Sequence, residues 1–558
     1  MLKSFSGRNY KAFSEFELSL KPLTILLGAN SCGKSALINS FLMLSQTLDA
    51  TSFSESALRL NGNKVGMGEA LNLIKDKKLD TILSFSFTFD DDKELKKELD
   101  RLKYDATEAH FMVVRYIGLL LRKNKEIYSS LQKKINEIEN IYVGNDRFNS
   151  NQLGNIANKL CALLTDYRKT KGELKTNRHV IDPVQNFINN SSIKKTKDCL
   201  TKLLPISVSR YTASRIDYDF KYNRDSKNLS IKKINLVNKF NEIITSISID
   251  GRNKISISSD IIDDSILKNS KKDIRSLLNP DSFYLFNIDH PHYYPFVFFN
   301  ISPNPVASFF CRMIHISLRR LEHELSGANI NHVSPLRAFP QRYYLLDKSI
   351  HHTQLNALDG TELAEVLKKN SSIRNEINKL LAEFNIAIDV EKVNDIIHKI
   401  IVNQDAVNLE LTDVGFGISQ VLPILVQAFL SPKHSITIIE QPEIHLHPKM
   451  QAWLTDALIK IALEGEKRFL IETHSDALVR RVRLRIVDEN SQLTEKDVAI
   501  YHLERNKIKG FTSLNMIPIS SDGDITWPKD FMDIEIRDTL MIQQFKMQKS
   551  INNKKGIH

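Results

Sequence analysis

Eight residues, Gly28-Ala-Asn-Ser-Cys-Gly33-Lys34-Ser35, constrain this chain more than any other stretch. They follow Leu23-Thr-Ile-Leu-Leu27, a short apolar run bounded by Pro22 and Gly28 that reads as a buried strand. After them, Leu37, Phe41 and Leu44 share one face of a helix predicted over Ser35–Thr47. A strand, a loop of the form GxxxxGK[ST] and a helix make a phosphate cradle. Backbone N–H groups of the loop and helix start face the anion, at the favourable end of the helix dipole. The pattern assigns Lys34 to the β and γ phosphates and the Ser35 hydroxyl to a Mg²⁺ ion. Gly28, Asn30, Ser31, Gly33 and Ala36 complete the candidate nucleotide-binding loop, and Cys32 within it is incidental.

Composition narrows the class. Apolar residues are 42% and charged residues 26%, so neither a disordered tail nor a collagen-like chain fits. With 19 Gly and 16 Pro, the chain is poor in breakers and should be rich in helix. No apolar run reaches 18 residues, and Met1-Leu2-Lys3-Ser4 lacks a secretory signal, so no membrane association is expected. Cys32, Cys161, Cys199 and Cys311 have no paired spacing. That excludes a disulfide framework or a zinc knuckle and fits a cytoplasmic protein.

Along the chain, Phe16, Leu18 and Leu20 alternate with polar residues, as do Leu83, Phe85, Phe87 and Phe89, predicting strands. Asp90 to Leu204 is expected to be mostly helical. Within it, Leu131, Ile135, Ile138 and Ile141 have near-heptad spacing, consistent with a short helical arm but too short for a coiled coil. Ile206–Ile262 reads as small strands, Ala307–Glu324 and Gly360–Asn385 as helices, and the chain beyond Leu409 as alternating helices and apolar strands. His290-Pro-His292 is expected to be packing or surface rather than a metal site.

Three further motifs lie far from the phosphate loop. Ser435-Ile-Thr-Ile-Ile-Glu440 is an apolar strand ending in a carboxylate, as a metal-positioning acid requires. Asp413-Val-Gly415-Phe-Gly417-Ile-Ser419-Gln420 precedes an apolar helix predicted over Val421–Phe429, a second phosphate-facing helix start. Arg468-Phe-Leu-Ile-Glu-Thr-His474-Ser475 is another strand, whose terminal His474 can hydrogen-bond a γ-phosphate or a water.

In this order the motifs resemble the ATP-binding cassette ATPases of SMC and RecF type. The resemblance implies an α/β fold: an ABC-ATPase head, two-lobed, with a mixed sheet plus helices and a large, mainly helical insertion. The implied segments are lobe I over 1–90, the insertion over 91–330, lobe II over 331–490 and a small C-terminal module over 491–558. It also implies ATP and Mg²⁺ as cofactors, with Ser35 and Glu440 at the metal. Gly415, Gly417 and Ser419 would contact ATP held by a second protomer. More narrowly, Glu440-Gln-Pro-Glu-Ile-His-Leu-His-Pro448, Glu472-Thr-His-Ser-Asp476, Arg480-Arg-Val-Arg-Leu-Arg485 and Ser334-Pro-Leu-Arg-Ala-Phe-Pro340 are similar to prokaryotic AAA15/AAA21-type ATPases. Gly523-Asp-Ile-Thr-Trp-Pro-Lys-Asp-Phe531 resembles their DUF3696-type C-terminal module. Such ATPases include the PtuA-type subunits of Septu anti-phage systems, also found with some retrons. The resemblance therefore implies antiviral defence, an HNH nuclease partner, a homo-oligomer and, in the retron version, a reverse transcriptase with its RNA and DNA.

One departure bears on mechanism. The cassette family usually places a general-base Glu after the metal acid, and this chain has Gln441 there. A carboxamide orients water but cannot take its proton, so hydrolysis is expected to be slow, unless Glu443 is the base. Asp522-Gly-Asp524 reads as a turn rather than a metal pair. No nuclease constellation is evident, so cleavage should belong to the partner. The lid glutamine is not identifiable, and Gln46 is a candidate without context.

The net charge of +11 is uneven. Residues 151–240 hold 18 Lys/Arg against 7 Asp/Glu, so the rest is close to neutral. This window is either a solvated surface or a footprint for a polyanion. Lys194, Lys195, Lys232 and Lys233 are its candidate contacts, and Tyr167, Tyr211, Tyr218, Phe220 and Tyr222 are available for stacking. That footprint sustains the alternative reading, a RecF/SMC-like repair ATPase binding DNA directly. A third is a scaffold in which ATP is purely structural.

Overall fold

Strands and helices follow one another largely as their patterns predict. The computed structural model describes the chain outside residues 50–55, 123–124, 143–147, 171–182, 251–253, 287–294, 338–339, 346–361, 406, 507–509, 528–537, 539 and 548–558. The His290/His292 pair, Ala338-Phe339 and Pro528–Phe531 lie outside the described residues. The first elements are β1 (Leu2–Tyr10), β2 (Phe13–Ser19), β3 (Leu23–Gly28), α1 (Lys34–Leu48) and β4 (Leu83–Phe89). Helices α2 (Lys93–Leu121), α3 (Lys125–Tyr142), α4 (Ser150–Thr170), α5 (Pro183–Asn190), α6 (Ile193–Asp198) and α7 (Val208–Tyr211) follow. Next come β5 (Ala213–Tyr222), β6 (Leu229–Asn238), β7 (Ile243–Asp250), β8 (Lys254–Ser258), α8 (Asp264–Leu277) and α9 (Pro305–Leu325). Then come β9 (Ile330–Val333), β10 (Tyr344–Leu345), α10 (Leu363–Lys369), α11 (Ser371–Leu381), β11 (Ile386–Lys392), β12 (Ile397–Gln404) and β13 (Val407–Glu410). The last are α12 (Phe416–Leu430), β14 (Ile436–Glu440), α13 (Pro448–Glu464), β15 (Arg468–Glu472), α14 (Asp476–Val487), β16 (Val498–Asn506) and β17 (Phe511–Ile517). The class is mixed α/β, as expected.

The chain forms two units, Met1–Lys11 with Gln46–His323 and Ala12–Ser45 with Glu324–His558. This partition runs across the expected 1–90 segment. The phosphate loop joins the second half of the sequence because β3 pairs in parallel with both β15 (Leu23↔Phe469) and β16 (Leu23↔Val498).

In the first unit the sheet order is β8-β7-β6-β5-β4-β1, antiparallel throughout. Phe85 and Phe87 pack on Phe5, with ring centroids 5.4 and 5.2 Å apart, and Tyr218 and Phe220 of β5 continue the aromatic layer. Positions 216, 218 and 220 share the inward face of a period-2 strand. This overturns the stacking expectation for four of the five aromatics: Tyr167, Tyr211, Tyr218 and Phe220 are at most 2% exposed, and only Tyr222 is half-buried. The strands of this region are also longer than expected, ten residues each for β5 and β6: Arg215, Asp217 and Asp219 occupy outward positions of β5, and Ser230, Lys232, Lys233 and Asn235 those of β6. Asp92 caps α2, accepting from the N–H groups of Glu94 and Leu95 at 2.8 and 3.2 Å. The near-heptad residues of α3 are not a projecting arm. Leu131, Ile135 and Ile138 are buried, and Lys159–Glu137 (2.6 Å) and Lys134–Asp166 pairs tie α3 to α4.

In the second unit the order is β2-β17-β16-β3-β15-β14-β9. Strands β16, β3, β15, β14 and β9 run parallel, and β17 is antiparallel to β16. Every residue of β3 is buried, as a central parallel strand covered on both faces requires. Leu422, Leu425, Leu454, Leu458, Ile439 and Ile471 are part of the core around it. A small antiparallel sheet orders β10-β12-β11, with β13 also on β12. The helix expected over Gly360–Asn385 is two, α10 and α11, broken where Asn370 takes φ −113°, ψ 76°. Lys467 donates to the carbonyls of Ala428 and Phe429 at 2.8 and 2.7 Å, closing the carboxyl end of α12. Asp522-Gly523-Asp524 is a turn: Gly523 has φ +70°, and Ser520 N–H donates to Asp524 O at 3.0 Å. Among the described residues, no group of three or more His, Cys, Asp or Glu could hold a metal. The four cysteines are free and buried, and no described helix is long and apolar enough to cross a membrane.

Candidate functional site

Register places the site. Leu26 of β3 lies opposite Glu472 of β15, and Glu472 opposite Glu440 of β14, so three carboxyl strand ends stand side by side. Ligands of open parallel sheets bind beyond such ends. The phosphate loop leaves β3 there and turns into α1. Within it Ser31 has φ +62°, Gly28 +145° and Gly33 +106°. Gly28 requires glycine on space as well, and Gly33 is tight. A Cβ on Gly28 would meet the Leu503 carbonyl at 2.5 Å, and one on Gly33 the Phe13 ring at 3.0 Å. The N–H groups of Ala36 and Leu37 close the first turn on Gly33 O at 3.1 and 3.2 Å. Ala29, Asn30, Ser31 and Ser35 are exposed.

Lys34 is the hub and is 4% exposed. Its ammonium donates to Gly28 O (2.8 Å) and Ala29 O (3.1 Å), contacts His474 Nε2 at 3.2 Å and pairs with Glu472 Oε1 at 3.6 Å. An ammonium has only donors, so His474 Nε2 accepts and the neutral ring carries its proton on Nδ1. Burial and the Lys34 charge lower the His474 pKa against the pull of Glu443, consistent with a neutral ring. Glu443 accepts from Thr473 Oγ1 and His474 N, both at 2.7 Å. Both of its oxygens hold the tip that carries His474, so the arrangement is that of a positioning carboxylate.

Three residues that the sequence motifs did not single out complete the site. Glu472 is buried beside Lys34, and its Oε2 has no hydrogen-bond partner among the described residues. Burial, and behind it the Glu440 charge, push its pKa up to about 7 against the pull of Lys34. His332 of β9 bonds Glu440 Oε1 at 2.6 Å, fixing the acid from the next strand. Arg337 is 5% exposed and donates through Nη2 to the carbonyls of Glu440 (3.2 Å) and Gln441 (2.9 Å). Burial lowers its pKa to about 10. Gln441 takes a left-handed φ of +45°, held by its N–H to Glu472 O at 2.7 Å and by Arg337 on its carbonyl. A signal for Glu472 existed, since it ends an apolar strand as Glu440 does, and Arg337 lies in the Ser334–Pro340 motif, which carried a resemblance but no role. None existed for His332.

The cluster thus joins Lys34, Glu440, Gln441, Glu443 and His474. Gly415, Gly417 and Ser419 form the start of α12 instead, and only Gly415 precedes the helix, as its N-cap. The helix begins earlier than expected because the Ile418 N–H already bonds Gly415 O at 3.3 Å. Gly415 is exposed, and a Cβ at that position would meet no atom within 4 Å, whereas Ser419 is 3% exposed. Gln46 does not project as a lid. Its Nε2 donates to Arg59 O (2.8 Å) and Val65 O (3.2 Å), and its Oε1 accepts from Val65 N. In the first unit, Lys194 is exposed, and Lys195 is half-buried and pairs with Asp273 at 2.7 Å. Lys232 and Lys233 are half-buried, at a register shift of β6 that turns adjacent residues outward between buried Ile231 and Ile234.

This donor set fits a nucleotide with Mg²⁺. It offers an ammonium in a glycine loop, an exposed hydroxyl at Ser35, paired carboxylates at Glu440 and Glu472, and an orphaned oxygen on the latter. A family model described as an AAA ATPase domain matches residues 343–479, which hold Gly415, Glu440 and His474 but not the phosphate loop. The chain therefore carries an ATPase domain. No curated protein matches. Solved structures that match include an SMC head bound to the C-winged helix domain of ScpA (8% identity, 93% of this chain and 98% of that chain, TM-score 0.33). Others are the SMC head domain from Thermotoga maritima (7%, 93% and 99%, 0.31) and a Pyrococcus furiosus Smc head with an extended coiled coil bound to the C-terminal domain of ScpA (8%, 93% and 96%, 0.32).

Proposed function

We propose that this ATPase is a nucleotide switch: it binds ATP with Mg²⁺ between two protomers, hydrolyses it slowly and so controls a partner nuclease. The observation that carries the nucleotide part is the Lys34 ammonium, which meets the phosphate loop, the Glu472 strand end and the His474 tip within 3.6 Å. Lys34 and the loop N–H groups hold phosphate oxygens; Ser35 and Glu440 hold the metal, with His332 orienting Glu440. Bound Mg²⁺ supplies charge neutralisation at the phosphates. Gln441 orients a water, and neutral His474, fixed by Glu443, offers a hydrogen-bonding Nε2. With a carboxamide at 441 and both Glu443 oxygens already accepting, proton removal is the weak step.

The exposed, unobstructed Gly415 at the start of α12 supports the trans contact with ATP on a second protomer. The defence role, with an HNH nuclease as partner and a reverse transcriptase in the retron version, rests on the resemblance of Glu440–Pro448 and Glu472–Asp476 to PtuA-type ATPases. Calorimetric titration with ATP and Mg²⁺ tests the core of the reading. Lys34→Ala should lose binding, and retained binding would refute the site. Co-purification with a small HNH protein encoded beside this gene tests the partner.

A further inference from the structure

We propose that the exposed face of α8, with α6 beside it, binds the phosphate backbone of a nucleic acid, at a site separate from the nucleotide cluster. Helix α8 buries Ile266, Leu267, Ser270 and Ile274. Its opposite face carries Lys268, Lys271, Lys272 and Arg275, all exposed, at spacing i, i+3, i+4 and i+7. At 100° per residue those four fall within a sector of roughly 100°, a single stripe. The acids of the region are largely engaged. Asp263 caps the helix, accepting from Ser265 N at 2.8 Å. Asp273 is held by Lys195 at 2.7 Å and by Asn304 at 2.6 Å. Asp264 alone among the described α8 acids shares the exposed face, in the first turn.

The Lys195–Asp273 bond does a second thing. It ties α6 to α8, and α6 presents Lys194 and Lys197, both exposed and three residues apart. Lys194, Lys197, Lys268, Lys271 and Lys272 are in no ion pair among the described residues. Like charges crowded along about 10 Å of helix axis repel one another unless a polyanion lies across them. Duplex DNA carries one negative charge per roughly 1.7 Å of axis, which suits such a stripe. The other exposed residues of α8 are Ser265, Asn269 and Ser276, so the face offers no ring to stack on a base. Lysines without aromatics position a backbone and do not read sequence.

The test uses the full chain and two fluorescent probes, a duplex of about 30 base pairs and an oligo-dT of equal length, titrated from about 50 to 200 mM salt. The wild type should bind, with affinity falling steeply with salt. Changing Lys268, Lys271 and Lys272 together to Ala should flatten the log–log slope by about 2.7 for the duplex, or about 2 if the single strand is the true ligand. The triple Lys→Arg variant should keep the wild-type slope. ATP binding should be unchanged in both variants, which confirms folding and separates this site from Lys34. Absence of binding to either probe at the lowest salt would overturn the proposal. So would a slope unchanged by the Ala variant, or one that responds instead to Lys232→Ala with Lys233→Ala.

Discussion

At the scale of single residues, the proposed hydrolysis turns on Gln441. It sits where an apolar strand ends, its backbone held in a left-handed conformation by Arg337 and the Glu472 carbonyl. Gln441→Glu places a base on that fixed backbone, and steady-state ATPase assays should show turnover rising by about 10²-fold or more. Unchanged turnover would locate the base elsewhere. Lys34 was legible from the GxxxxGK[ST] loop between a strand and a helix, and Glu440 and His474 because each sets a chemistry-bearing side chain at the end of an apolar strand. His332 was not, and Arg337 was visible only as part of the Ser334–Pro340 motif and not in its role, because both act through contacts across strands, which no local pattern encodes. Glu443 was legible as a carboxylate of the site but not in its role, since only the fold reveals Thr473 and His474 donating to it.

At the scale of elements, α2 and α9 carry a pH dependence. His110 is wholly buried, its ring 5.6 Å from that of Phe187 and 5.4 Å from that of Phe299, and its Nδ1 lies 2.6 Å from Ala106 O. Burial lowers its pKa from 6.5 to about 4, and burial lowers that of His315 on α9 likewise to about 4. The unfolded chain therefore binds more protons than the folded one across that interval. Stability present above about pH 6.5 is lost as pH falls toward 4, by up to roughly 3 kcal/mol per histidine. His110→Phe should make the fall in melting temperature between these pH values shallower, as calorimetry would record. An undiminished fall would assign the effect to other groups. The helices and β4 were legible because their periodicities are strong. The length of β5 and β6 was not, because Asp and Arg on β5 and Ser, Lys and Asn on β6, at outward positions, look like loop residues until the inward side chains are seen to pack.

At the scale of the whole molecule, ATP should control association. Mass photometry with Mg²⁺ and a slowly hydrolysed ATP analogue should show a dimer for the wild type and none for Lys34→Ala. Gly415→Asp, which puts a negative charge at an exposed helix start, should bind the analogue yet stay monomeric. A dimer of that variant would exclude α12 from the contact. The α/β class was legible from the order of the motifs and the alternating helices and strands beyond Leu409, whereas the partition into two units was not. It depends on which distant strands β3 chooses, and Leu23 pairs with Phe469 and Val498. That choice also sets a timetable for synthesis. The phosphate loop leaves the ribosome more than 400 residues before the strand partners of β3. At about 5–20 residues per second, β3 waits roughly 20–90 s with its apolar side chains unpartnered. A nascent chain stalled before Arg468 should fail to be captured on immobilised ATP, and over that interval β3 is a client for whatever shields apolar segments in the cell.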